Sequence, residues 1–212
     1  MPTLLNGDYS KYPEPIREIF SCLCGETCEL RQAWSVYRRL FMEDRKFTLT
    51  MRGHLGPLSG FFQTTLQDVM LLSIARLTDK DNQSQANLSI WCLREAVPFA
   101  TAPEFSKKVN EALAAITQAA DTIRKQRHKR IAHFDRNVSL NVAALPKVTL
   151  VEIRTVIELI EGFLNLFFWE FERTTMQFDM LVGRDITGVA EKTISKAQAY
   201  DRLRNDGNDS TQ

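Results

Sequence analysis

The feature that most limits what this chain can fold into is an apolar residue recurring at helical spacing. Val109, Leu113, Ile116, Ala120 and Ile123 fall at i, i+4, i+7, i+11 and i+14, one face of a helix. No segment alternates apolar and polar residues as a half-buried strand does, and glycine is scarce inside the periodic segments. The fold class implied is all-α. A second stretch is more demanding. Thr149 and Glu152 have capping-box spacing, and Ile153, Val156, Ile160, Phe163, Phe167 and Phe171 follow on one face. Leu159, Leu166, Phe168 and Trp169 widen that face beyond a single stripe. A helix apolar over most of its circumference packs on two sides, which puts it at the centre of a bundle or at a subunit interface.

The remaining segments complete the bundle. A first helix starts at Pro13-Glu14-Pro15 and runs through Ile16, Ile19, Phe20 and Leu23 past Trp34, Tyr37 and Phe41, with Gly25 a candidate interruption. Residues 51–59 hold Gly53, Gly56 and Pro57 and read as a connection. Residues 59–78 form a helix whose stripe is Phe62, Leu66, Val69 and Met70. Polar residues 79–85 break it, and a shorter helix spans 87–97 with Asn87 as N-cap. Thr101 and Glu104 have capping-box spacing at the start of the long helix, with Pro103 in its first turn. Residues 134–147 read as a loop, residues 186–203 as one more amphipathic helix, and residues 204–212 as a fraying end. The expectation is about four main helices with a C-terminal helical extension, divided as a domain over 1–182 and a polar extension over 183–212.

With 44% hydrophobic and 25% charged residues, the composition excludes wholesale disorder and fibrous repeats. A formal net charge of +1 means that any partner is engaged by local charge. The most apolar run, residues 159–171, is broken by Glu161 and Glu170, so it reads as a buried helix rather than a membrane span. With no apolar leader in the sequence, the expected location is the cytoplasm. Cys22, Cys24 and Cys28 do not share one helix face, and no second ligand pair lies near Cys92. The cysteines therefore read as reduced thiols, with no metal site. No cofactor is implied.

One stretch carries chemistry. Arg124-Lys125-Gln126-Arg127-His128-Lys129-Arg130-Ile131-Ala132-His133 is strongly basic in a nearly neutral chain and holds two of the three histidines. Arginine grips phosphate oxygens, and an imidazole moves protons near neutral pH. The stripe that ends at Ile123 has residue 127 as its next position, so Arg127 points where a core residue belongs. An arginine there must meet an acid, carbonyls or an anion. His133 lies about 120° from Arg127 on an ideal helix. Either the helix bends or ends near Ile131, or the two side chains converge with help from a second copy of the chain. The plainer reading of Lys125, Lys129 and Arg130 is a solvated face at a helix C-terminus. His54 reads as structural. Arg76 and Asp79 either join the site or end a helix, and the aromatic residues of the last helix read as core or interface.

Arg127, the polar His128, the four residues 129–132 and then His133 are similar to the signature of the HEPN superfamily. The surrounding Arg-His-Lys-Arg-Ile-Ala-His-Phe-Asp resembles its AbiU-like abortive-infection branch, as do Ala75-Arg76-Leu77-Thr78-Asp79 and Asn87-Leu88-Ser89-Ile90. The resemblance covers roughly residues 16–178. It implies a HEPN-like helical bundle and a metal-independent endoribonuclease acting as a toxin or antiviral effector. The alternative is a non-catalytic module that binds RNA or a protein partner. Under the resemblance Arg127 and His133 are catalytic, with Arg127 on the phosphate and His133 as general base or acid. His128 would position either group, and Arg124, Lys129 and Arg130 would bind RNA. Asp135 either orients His133 or caps a helix end. It stands where antitoxin-regulated relatives carry a modifiable Tyr, so that mode of control is not implied. The expected partners are RNA, a second copy of the chain, and an antitoxin or other defence-system protein.

Overall fold

The computed structural model describes residues 9–80, 87–97, 102–128, 147–181, 188, 192–200 and 202. Among the described residues every regular element is a helix and there is no strand. Helix α1 (Glu14–Arg38) opens with proline in its first turn and buries Ile16, Phe20, Leu23, Cys24, Leu30, Trp34 and Tyr37. Gly25 does not interrupt it, and is itself buried. One glycine costs a helix only about 1 kcal/mol relative to alanine, less than the packing of this face supplies.

A short π segment (Arg39–Glu43) follows, then α2 (Arg45–Leu55), capped by Asp44, whose side chain accepts from the Phe47 amide at 3.0 Å. The connection expected over residues 51–59 is therefore mostly helical. Only Gly56 separates α2 from α3 (Pro57–Thr78). Its φ of +51° is one that glycine adopts freely, and Pro57 starts the next helix at once. Gly53 rides inside α2 with open space around it.

The stripe expected on α3 is also corrected. Met70 is fully buried and Leu66 half-buried, but Phe62 and Val69 are 44% and 43% exposed. The buried set is Met70, Leu71, Ile74, Ala75, Leu77 and Thr78 in the C-terminal half, which lies against α1. The apolar residues of the N-terminal half, Leu58, Phe61 and Phe62, do share a face, but that face is exposed within one chain, and periodicity alone does not say which apolar face a neighbour covers.

Helix α4 (Ile90–Ala96) is capped by Ser89 rather than Asn87, with Ser89 Oγ accepting from the Trp91 amide at 3.4 Å. Helix α5 (Pro103–Ala119) has Ala102 at its N-cap with no side-chain bond, and Thr101 lies outside the described residues. The stripe of Val109, Leu113, Ile116, Ala120 and Ile123 is buried throughout. It crosses a turn at Ala120 into α6 (Asp121–Gln126) without losing phase.

Helix α7 (Leu150–Glu172) is the centre. Its capping box forms as expected, with Thr149 Oγ1 accepting from the Glu152 amide at 3.2 Å and Glu152 Oε2 accepting from the Thr149 amide at 2.7 Å. One side lies on α5 and another on α1. Phe163 and Phe167 are fully buried among Phe20, Phe105, Phe171 and Tyr12. Glu161, which interrupts the apolar run, is held by Arg31 of α1 in a bidentate ion pair. The Tyr12 hydroxyl donates to Glu172 at 2.6 Å and ties the segment before α1 to the end of α7. Burial, with that bond and the Glu172 charge, pushes the phenol well above its ordinary range.

After α7 the Asn165 side chain both donates to and accepts from the Met176 backbone, at 3.1 and 2.7 Å. This folds the chain into a 3₁₀ turn (Phe178–Leu181) with Phe178 buried. Residues 192–200 are helical, as expected of the C-terminal extension. Ile194 is buried there, and Gln198 donates to Thr50 Oγ1 of α2 at 3.1 Å. The fraying expected of residues 204–212, and the loop expected over 134–147 apart from Lys147, lie outside the described residues. Among the described residues no helix is long and apolar enough to cross a membrane.

The capping box makes a pH-dependent prediction. The Glu152 carboxylate is held below its ordinary value of 4.5, first by the Thr149 amide and then by its hydroxyl. A lowered folded-state value means that the stabilisation is complete above the unfolded value and is lost as pH falls through the folded one. Thr149→Ala is expected to cost about 1 kcal/mol in urea melts at neutral pH. The gap to wild type should shrink below pH 4.5, and a gap that does not change with pH would refute the Glu152 contribution.

Candidate functional site

The site stands where the α5–α6 rod ends against the tip of α3. Helices α3 and α6 pack together, so side chains of α6 meet the last carbonyls of α3, which have no partners within their own helix. Arg124 fills this role. Its Nη1 donates to the Thr78 carbonyl at 3.2 Å and its Nη2 to the Thr117 carbonyl at 2.9 Å. The Trp91 indole N–H of α4 donates to the same Thr78 carbonyl at 3.3 Å. A cation at a helix C-terminus is also favoured by the helix dipole. Arg124 thus clasps α3 to the α5–α6 turn, which commits much of its guanidinium to carbonyls.

Arg127 is placed differently. It takes the next position of the buried stripe, as the periodicity requires, at the start of a wider π turn over residues 127–128. Asp79, the C-cap of α3, lies beside it, with Oδ2 at 3.7 Å from Arg127 Nη1. That is a charge contact but too long for a hydrogen bond. The Arg127 side chain is 29% exposed, yet its Nε is buried and has no hydrogen-bond partner among the described residues. A buried donor left unmade costs about 1–3 kcal/mol, so the guanidinium retains capacity for an acceptor that approaches from the open side.

The other basic residues divide. Lys125 pairs with Asp121 one turn back at 2.6 Å, both exposed, the solvated arrangement expected of it. The salt bridge and adjacent charges hold the Asp121 carboxyl below its ordinary value. His128 follows Arg127 and is exposed. Arg76 reaches Glu26 of α1 at 3.0 Å, so of the pair weighed for the site only Asp79 stands beside Arg127. His54 sits in the last turn of α2. Lys129, Arg130, His133 and Asp135 lie outside the described residues.

Lys147 lines a cavity of about 260 Å³ together with Gln126, Gln67, Leu71 and Ile153. Among the described residues no group of three His, Cys, Asp or Glu side chains is placed to hold a metal ion. The cysteines are free thiols. Burial, with the Cys28 and Glu172 charges, pushes Cys24 well above its ordinary value, and Cys28 is pushed up to about 11 by burial and by Glu161 and Glu29.

The model of the AbiU2 family of HEPN proteins matches residues 13–191. The chain belongs to that family. No curated protein and no solved structure matches it. The AbiU2 match takes in both α3, with Asp79 at its cap, and the α5–α6 rod with Arg127 at its end. Sequence reasoning placed Arg127 on the buried phase but missed the carbonyl-capping geometry of Arg124. It also passed over Trp91, because nothing in local spacing brings α4 to the tip of α3.

The two arginines should separate cleanly. Arg124→Ala removes two charge-assisted bonds to carbonyls and is expected to lower unfolding free energy by about 2 kcal/mol. Arg127→Ala removes a buried donor that nothing satisfies and should leave stability within about 0.5 kcal/mol of wild type. Parallel urea denaturation of both variants measures this, and an equal loss in the two would show that Arg127 is a structural arginine.

Proposed function

We propose that this AbiU2-family chain is a metal-independent endoribonuclease that acts as a toxin or antiviral effector in abortive infection. The observation that carries the reading is the state of Arg127. It opens the family signature, is held in place by the buried stripe, lies open to solvent on one side, and keeps a buried donor without an acceptor. In the reaction, a base takes the proton of a ribose 2′-OH. The 2′ oxygen then attacks the adjacent phosphorus as the bond to the 5′ oxygen breaks. An acid protonates the departing 5′ oxygen, leaving a cyclic phosphate and a free 5′-OH. Arg127 donates to the phosphoryl oxygens as charge builds on them, a kind of help worth several kcal/mol. His133 moves a proton, His128 positions, and Lys129 and Arg130 bind flanking phosphates.

The chemistry needs both a base and an acid, while the signature supplies His133 to move a proton and His128 to position. A second copy of the chain provides the missing imidazole. Helices α1 and α5 take most of the apolar surface of α7 within one chain, leaving Val151 and Trp169 exposed, and a longer exposed apolar stripe lies on α3. Leu58, Phe61, Phe62 and Val69 fall at i, i+3, i+4 and i+11 on α3 and are 43% to 63% exposed. Such a stripe is characteristic of an interface.

The Asp79–Arg127 contact favours a second reading, a non-catalytic RNA- or protein-binding module in which Arg127 serves as an anchor. Cleavage assays decide between them. Arg127→Ala and His133→Ala are each expected to abolish cutting while far-UV circular dichroism stays unchanged. A substrate with one 2′-deoxy substitution at the cut position should resist the wild-type protein. Cutting of that substrate, or full activity in both variants, would sink the ribonuclease reading.

The dimer has its own test. Replacing Phe61 and Phe62 together by Glu should give a monomer in sedimentation equilibrium that keeps its helical content and no longer cuts RNA. A monomeric variant with full activity would mean that one chain carries a complete site.

A further inference from the structure

On the α4 side of the α3 tip lies a groove of about 280 Å³ lined by Lys80, Trp91, Arg94, Glu95, Asn110 and Leu113 among others. Trp91 is half-buried and fixed, because its indole N–H is spent on the Thr78 carbonyl. The exposed Lys80 ammonium lies 5.2 Å from the ring centroid. Arg94 donates from Nε to Asn110 Oδ1 at 3.2 Å across the groove. Among the described residues that line it, Glu95 is the one acid, set against the cations Lys80 and Arg94. A rigid aromatic face flanked by two cations and an amide is the combination that holds a nucleotide of single-stranded nucleic acid. The base stacks on the ring and the phosphate meets the cations.

The groove is joined to the proposed cutting site by three consecutive residues. The Thr78 carbonyl binds both Arg124 and Trp91, Asp79 faces Arg127, and Lys80 lies over Trp91. A strand that crosses the tip of α3 therefore meets Arg127 and the indole in succession.

We infer that this groove is a nucleotide subsite, with the Trp91 indole stacking the base of a residue that flanks the scissile phosphate and Lys80 and Arg94 holding its phosphate. The inference rests on the ribonuclease reading for its position along the RNA, but not for binding itself. Lysine is a flexible point charge, so Lys80 moves from the ring face to the phosphate as the base arrives. The recognition is tolerant of sequence, since every base has a face to stack.

The test is fluorescence anisotropy with a labelled single-stranded oligoribonucleotide carrying 2′-O-methyl riboses, which binds but cannot be cut by 2′-OH attack. Trp91→Leu loses both the ring and the bond to Thr78, whereas Trp91→Phe loses the bond but keeps a ring. Stacking predicts about tenfold weaker binding for Leu and a loss of no more than about threefold for Phe. Lys80→Glu, at an exposed position that leaves the fold intact, should weaken binding about tenfold and flatten its salt dependence. It carries the test if Trp91→Leu fails to fold. Equal losses for Leu and Phe, wild-type affinity in Lys80→Glu, or no binding by the wild-type protein would each overturn the subsite. Failure of the ribonuclease reading looks different, since the oligonucleotide would then bind with the predicted pattern while unmodified RNA remained uncut.

Discussion

Covering α7 on two sides is the constraint around which the bundle is arranged. Its Phe163, Phe167 and Ile160 are buried completely, and a helix with so much apolar circumference is stable only between two neighbours. Helix α5 takes one side and α1 the other. The Arg31–Glu161 ion pair adds orientation, because a bidentate pair shielded from water tolerates little sliding of α1 along α7. Tyr12 and Asn165 then fasten the chain where it enters α1 and where it leaves α7.

Once α5 is fixed against α7, the position of the site follows. The buried stripe on α5 continues through the Ala120 turn into α6, so the rod that ends at Arg127 is aimed by residues far from any chemistry. Helix α3, held by α1, brings its unsatisfied C-terminal carbonyls to the same place. The junction at Thr78 draws in Arg124 from α6 and Trp91 from α4. A helix tip that has to be capped by its neighbours becomes the point where Arg127, an acid and an aromatic groove stand together.

The burial pattern explains what could be read in advance. The stripe from Val109 to Ile123 and the capping box at Thr149 were legible because each follows from spacing within one helix. Arg127 was legible as an out-of-place charge on an apolar phase. Helix α2 was not, because two glycines and a proline between residues 53 and 57 read as a loop, whereas one residue, Gly56, makes the whole turn. The inward face of α3 was misread because the helix carries one apolar face in its first half that stays exposed and another in its second half that is buried, and only packing decides which of them a neighbour covers.

The order of the amino acids by itself determined the all-helical character, the two-sided packing of α7 and the buried phase that ends at Arg127. Each depends on residues within a turn or two of one another, where 3.6-residue geometry decides the outcome. Only the tertiary structure decided that Arg124 clasps carbonyls while Arg127 keeps its donor free, that Asp79 rather than Arg76 stands beside it, and that Trp91 borders the site. Those outcomes rest on contacts between helices separated by tens of residues, whose relative placement is set by the mutual burial of their apolar faces and leaves no mark in local spacing.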